Sequence, residues 1–286
     1  MDSLTHALII TIILAMSGRP DLIPFGIMGA VLIDIDVMFS FFSDRDPRLY
    51  IFTHGGFTHS ILGASIICAC IAFLSALASL TGLLPAFGIA ALVAIIAGAI
   101  SHIAVDYLAY PGIPLLYPAT DKKYTLGVLG GPSALIMAGS IVFIVLLLTG
   151  EVGLDGSWAY VAYFGVILGF SVITKCYAAL KTKGRAIATM NPFKWIVIED
   201  TPGSYRFYQY DFFNTSSASH TFEKYTGIDR TGAERYVQLP ELKRMFYHSY
   251  IVTVEKNGSG ITYHDPIREA NYIWYPPYFK SYTVNA

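Results

Sequence analysis

Long apolar runs separated by short polar connections occupy the first 180 residues, and the pattern then changes. The runs fall at about 4–17, 22–42, 59–82, 84–108, 132–150 and 157–180. The last four are long enough to cross a hydrocarbon core of roughly 30 Å, which takes ~20 helical residues. The first would reach only about 21 Å at 1.5 Å per residue. It predicts a helix that is tilted, half-inserted or packed inside a bundle. The second is interrupted by Pro24, by glycines, and by Asp34 and Asp36.

Beyond "KTKGR" at 181–185 the long apolar runs stop and tyrosines become frequent. "FKWIVIED", "SYRFYQYDFF" and "SYIVTVEKNGSGITYHDP" are rich in β-branched and aromatic residues, which predicts strands. Asn257-Gly258 between two alternating segments is a hairpin signal. Residues 1–183 are therefore expected to form an α-helical membrane bundle of about four to six transmembrane helices. Residues 184–286 are expected to form a small, mostly β, water-facing domain. "HDP" at 264–266 reads as a turn, and His220, His248 and His264 as surface or core residues of that domain.

Composition agrees with a polytopic membrane protein. Of 286 residues, 54% are hydrophobic and 14% charged, with a mean hydropathy of +0.53; a soluble chain of this size carries more charge. The net charge of −1 gives no sign of nucleic-acid binding. Cys68, Cys70 and Cys176 lie in apolar runs without metal spacing, which predicts buried, unpaired thiols. Asp2 and His6 stand where a secretory signal carries Lys or Arg, so the N-terminal run is expected to be retained.

Charge in the connections sets an expected orientation. Loop 43–58 carries Arg45 and Arg48, loop 109–131 carries Lys122 and Lys123, and 175–185 carries Lys175, Lys181, Lys183 and Arg185. The opposite connections are neutral near 81–84, or acidic through Glu151 and Asp155. The basic loops and the C-terminal domain are thus expected in the cytoplasm, with Arg19 as the one residue against the pattern.

Against this background some polar residues stand out. An ionisable group within a span costs at least ~2.5–3.5 kcal/mol and is paired or functional. Here they are His6, Asp34, Asp36, His59, His102 and Asp106, with His54 and Asp2 just outside. On the expected topology all fall at one end of the bundle, at similar depth. His102 and Asp106 are i, i+4 and share a helix face, as do Asp2 and His6. Asp34 and Asp36 are about 200° apart on an α-helix, so only one faces such a site unless the helix breaks. Imidazoles and carboxylates meeting at one point suit one or two divalent ions, zinc first, with manganese or iron as alternatives. Spare carboxylates, Asp2 among them, would orient the histidines.

Several segments resemble the YdjM-type family, bacterial and archaeal inner-membrane proteins described as metal-dependent hydrolases. They are "MDSLTHALI", "LIDIDV" at 32–37, "HGGFTHSILGA" at 54–64, "SHIAVDYLAYPGIPLLYP" at 101–118 and "NPFKW" at 191–195. One difference is Gly55, where the family often carries Arg. The order His, Asp, His, His-x-x-x-Asp is also similar to a reduced form of the zinc-dependent phospholipase C and single-strand nuclease superfamily. That similarity implies one metal on Asp36, His59, His102 and Asp106, and a second on His6 and Asp106, with Asp106 bridging. The later histidines of a third site in that superfamily are missing here, and Met1 stands in place of its N-terminal Trp.

The expected function is hydrolysis of a phosphoester in a membrane lipid or lipid-linked substrate at the cytoplasmic face, by a metal-activated water. Asp34 or Asp2 would take the proton. His54 would be a further ligand or the acid for the leaving group. Arg45, Arg48, Lys122 and Lys123 would hold an anionic headgroup, although membrane topology alone also accounts for them. "YPGIPLLYPAT" at 110–120, stiffened by three prolines, would be a lid or an acyl-chain wall. Two other classes compete: an ion- or proton-coupled transporter using the His/Asp set, and a non-catalytic membrane scaffold.

Overall fold

The computed structural model describes residues 1–131, 133–213, 218–273 and 280–285. The chain divides into two compact units. The first comprises Met1–Phe39, His54–Lys175 and Ala188–Pro192; the second comprises Ser40–Thr53, Cys176–Ile187 and Phe193–Ala286.

The first unit is helical. Helix α1 (Ser3–Met16) is capped by Asp2, whose carboxylate accepts from the Thr5 backbone N–H at 2.9 Å. Helix α2 (Ile23–Val31) runs into a 3₁₀ segment at Leu32–Met38. Helix α3 (Ser40–Arg45) completes this broken element. Helices α4 (Ile61–Leu80) and α5 (Ile89–Tyr107) follow. The next connection carries two short parallel strands, β1 (Ala109–Tyr110) and β2 (Leu129–Gly130). Helices α6 (Ala134–Leu148) and α7 (Trp158–Lys181) close the bundle.

Among the described residues, four stretches are long and apolar enough to cross a membrane: Pro20–Arg45, Ile61–Leu80, Ile89–Tyr107 and Leu154–Lys181. The interrupted second run is thus of spanning length. The fifth run is not, because its helix has 15 residues, or about 22 Å. Ser3–Met16 is short as well.

Ile10, Phe25, Ile33, Ile95, Ala91 and Ala94 form a core shared by α1, α2 and α5. Glycine sets the α2–α5 distance. A Cβ on Gly98 would lie 2.2 Å from the Gly26 carbonyl oxygen, and one on Gly29 would lie 2.0 Å from that of Ile95. Small residues at membrane helix interfaces allow this backbone approach. Of the cysteines expected to be buried, only Cys68 is; Cys70 and Cys176 lie on the exposed faces of α4 and α7. A small thiol is at no disadvantage on a lipid-facing surface.

The second unit is built on two four-stranded sheets. One has the order β3 (Arg185–Ala188), β4 (Lys194–Asp200), β5 (Ser204–Asp211), β6 (Ser219–Glu223). The other contains β7 (Tyr225–Thr226), β8 (Thr253–Asn257), β9 (Gly260–His264) and β10 (Ser281–Asn285) in the order 10-9-8-7. Asn257 pairs with Gly260 across the expected hairpin, and Gly258 has φ +61°, the left-handed conformation such turns need.

Helices α8 (Arg230–Glu234), α9 (Pro240–His248) and α10 (Pro266–Glu269) interrupt the strand-rich pattern. The "HDP" turn is the N-cap of α10, where Asp265 accepts from the Arg268 N–H. The segment Ser40–Thr53 packs with this unit. Arg244 of α9 is buried and donates to the Ser43 carbonyl at 2.8 Å, and the Tyr50 and Tyr247 rings meet edge-on at 5.2 Å.

Candidate metal centre

Four structural devices bring the polar residues of the first unit together. The Asp2 cap fixes the first turn of α1 and so the position of His6. The 3₁₀ segment after α2 winds with three residues per turn, which brings side chains at i and i+2 to about 120° apart, instead of about 160° in an α-helix. Both Asp34 and Asp36 therefore reach histidines, as the broken-helix alternative expects. A second 3₁₀ turn, Phe57–His59, presents His59 just before Ser60 caps α4 by accepting from the Gly63 N–H at 3.0 Å. The last turns of α5 carry His102 and Asp106 on one face.

Asp34, His59, His102 and Asp106 are all buried, and each offers one ligand atom within 4.8 Å of the others. The separations are more regular than that limit implies. His59 Nε2 lies 3.0 Å from His102 Nε2, 3.5 Å from Asp34 Oδ1 and 3.2 Å from Asp106 Oδ2. His102 Nε2 lies 3.4 Å from each of the same two oxygens. Ligands held about 2.05 Å from one tetrahedral ion are about 3.3 Å apart. Five edges of such a tetrahedron are thus present.

The hydrogen bonds around the four atoms fix their chemistry. His102 Nδ1–H donates to the Ala30 carbonyl at 2.5 Å. His59 Nδ1 lies 3.0 Å from Asp36 Oδ2, an atom that can only accept. With its Nδ1 so engaged, each ring turns Nε2 toward the other ring and toward two carboxylates. Asp34 Oδ1 is buried and has no hydrogen-bond partner. Two imidazole nitrogens and two carboxylate oxygens converging on one point are a donor set that fits a cation.

The other candidates take distinct positions. Asp36 is not in the four-atom group; Asp34 holds the place expected for it. The Asp36 carboxylate instead collects His54 Nδ1 at 3.1 Å, the Gly55 N–H at 3.0 Å and the Thr58 hydroxyl at 2.7 Å, besides His59. Gly55 has φ +72°, which favours glycine, and its backbone N–H serves Asp36. Asp36, His54 and His59 also form a second group of ligand type. Asp34 Oδ2 accepts from the Ser3 hydroxyl at 2.7 Å.

His6 stacks on His102 with ring centroids 3.7 Å apart, and its Nε2 is 3.3 Å from Asp106 Oδ1. The Met1 amino group donates to the same oxygen. Asp2 contacts Thr5 as the helix cap. The Lys122 ammonium lies 5.7 Å from the Tyr124 ring centroid, and Lys123 is half-buried. Arg45 and Arg48 belong to the second unit, where Arg45 stacks over Phe41 and Arg48 pairs with Asp46 at 2.8 Å. The loop after α5 leans on the turn that carries His59: the Ile61 N–H donates to the Leu115 carbonyl at 3.0 Å, and Tyr117 meets Phe57 edge-on.

A family model described as YdjM inner membrane protein matches residues 1–180. The chain belongs to this family. The match takes in every residue of the YdjM-family cluster, from His6 to Asp106, and ends at the last turn of α7, before the strand-rich region. No curated protein and no solved structure matches the chain. The YdjM assignment, together with the four apolar spans, makes this a membrane protein with a buried Asp/His/His/Asp cluster able to hold a metal ion.

Proposed function

We propose that the protein is a membrane-embedded, metal-dependent phosphoesterase acting on a lipid or lipid-linked phosphate at the cytoplasmic membrane face. The observation that carries this reading is the set of five separations, 3.0–3.5 Å, among buried imidazole nitrogens and carboxylate oxygens. Asp34, His59, His102 and Asp106 would hold the ion. Zinc suits the two imidazoles and two carboxylates best. A divalent ion bound there would supply Lewis acidity, lowering the pKa of a coordinated water toward about 7 and offsetting phosphoryl charge.

The protein's own groups supply the rest. Asp36 orients the His59 ring and holds His54 by Nδ1, which leaves His54 Nε2 for a proton at the leaving oxygen. The His54 side chain is 29% exposed, whereas those of His59 and His102 are fully buried. Substrate therefore approaches from the His54 side. A hydrolytic site at the end of a bundle suits a molecule with its phosphate in water and its tail in the bilayer.

The test is release of phosphate or phosphorylated headgroup from phospholipids and polyprenyl phosphates in mixed micelles, after loading with zinc or manganese. Metal-dependent release that is lost in Asp34→Asn is the expected result. A fully metal-loaded protein that cleaves neither class contradicts the reading.

A further inference from the structure

The second unit carries exposed aromatic residues at the two places where its chain adjoins a membrane-crossing stretch. At the end of α7, Tyr177 is 39% and Leu180 85% exposed. Phe212 and Phe213, just beyond β5, are 36% and 75% exposed. These join one surface: Tyr177 and Phe212 have ring centroids 5.0 Å apart, and Phe213 packs on Phe193 at 5.0 Å. The Lys181 ammonium lies 5.6 Å from the Tyr177 ring centroid. At α3, Phe41 and Phe42 are 53% and 55% exposed, and the Arg45 guanidinium sits 3.8 Å over the Phe41 ring.

Rings open to the surroundings with a cation beside them are costly toward water, yet they are the composition of the bilayer boundary. Aromatic side chains concentrate there, and Lys and Arg lay their stems along apolar surface while the charge reaches the headgroups. The first patch is continuous with α7, one of the stretches of membrane-spanning length. Phe212 and Phe213 lie just beyond β5 and outside any spanning stretch, so membrane crossing does not account for their exposure.

We infer that the strand-rich unit is a peripheral membrane domain in its own right, inserting Phe212 and Phe213 beside Tyr177 into a bilayer surface bearing anionic lipids, while Phe41, Phe42 and Arg45 mark where the Pro20–Arg45 stretch meets that surface. The occupant of both patches is lipid, and Lys181, Lys183 and Arg45 meet the phosphates. This holds whether or not the buried cluster is hydrolytic.

The test uses the full chain with Cys68, Cys70 and Cys176 changed to Ala, reconstituted into phosphatidylcholine–phosphatidylglycerol vesicles. A nitroxide is attached through Phe213→Cys, and separately through Ser259→Cys in the β8–β9 hairpin, whose side chain is exposed. The label at 213 should be broadened by oxygen and should lose the broadening by a water-soluble nickel chelate that the label at 259 shows. Chelate broadening at 213 equal to that at 259 overturns the inference. So does shielding from both agents, which would mean that protein, a second copy or the chain itself, covers the patch. Phe212→Cys gives the same readout at the same patch if the 213 label prevents reconstitution.

Discussion

His59 and His102 face each other through Nε2 atoms 3.0 Å apart, while the Nδ1 of each is engaged elsewhere. His102 Nδ1 meets the Ala30 carbonyl and His59 Nδ1 meets Asp36. With Asp34 and Asp106 on the flanks, the pair is a cluster of metal-ligating groups inside an apolar bundle. A bound cation would satisfy all four at once, and this accounts for a histidine and an aspartate four residues apart on the apolar helix α5.

Asp36 and Asp34 are two residues apart and should behave differently. Asp36→Asn leaves the four acceptors in place and loosens only the hold on His59 and His54. The expected result is an unchanged number of bound ions, with affinity lowered by about 10–100-fold, read by competition with a chelator. A protein that no longer binds metal would make Asp36 a direct ligand.

His54 separates metal binding from turnover. His54→Ala should keep its metal content, while phosphate release falls by about 10²–10⁴-fold, as for removal of a general acid. Loss of the metal together with the activity would place His54 in the coordination set.

The α2–α5 contact should be intolerant of bulk. In Gly98→Val the new side chain meets backbone atoms of α2, including the Ala30 nitrogen at 2.7 Å from the first carbon. The helices must separate, at a cost of about 1–3 kcal/mol, and the carbonyl that fixes His102 moves with them. A lower unfolding temperature in detergent and weaker metal retention are expected together. Gly169→Val on α7, where an added carbon meets nothing within 4 Å, is the matched control and should do neither.

Much of the site was legible because burying a charge in a membrane is expensive. His6, His59, His102 and Asp106 stood out against apolar runs, and their common end of the bundle followed from the order of the runs. The roles of Asp34 and Asp36 were not legible, because they depend on a 3₁₀ segment that an apolar sequence does not announce. The pattern of residues 184–286 predicts mostly strands, and the two sheets bear this out. Helix α9 was missed, although Pro240 at its start and the buried Leu242 and Met245 at i, i+3 spacing carry a helical signal. Packing of Ser40–Thr53 with that unit rests on Arg244 and Tyr247, about 200 residues further on, and no local pattern reports a contact so distant in sequence.

The central claim is that Asp34, His59, His102 and Asp106 hold a metal ion, and elemental analysis of detergent-purified protein tests it most directly. Wild type is compared with Asp106→Ala, both prepared without added metal. One or two equivalents of zinc, manganese or iron in the wild type, lost in the variant, is the predicted result. A wild-type protein that is metal-free, and stays so after dialysis against zinc and manganese, contradicts it.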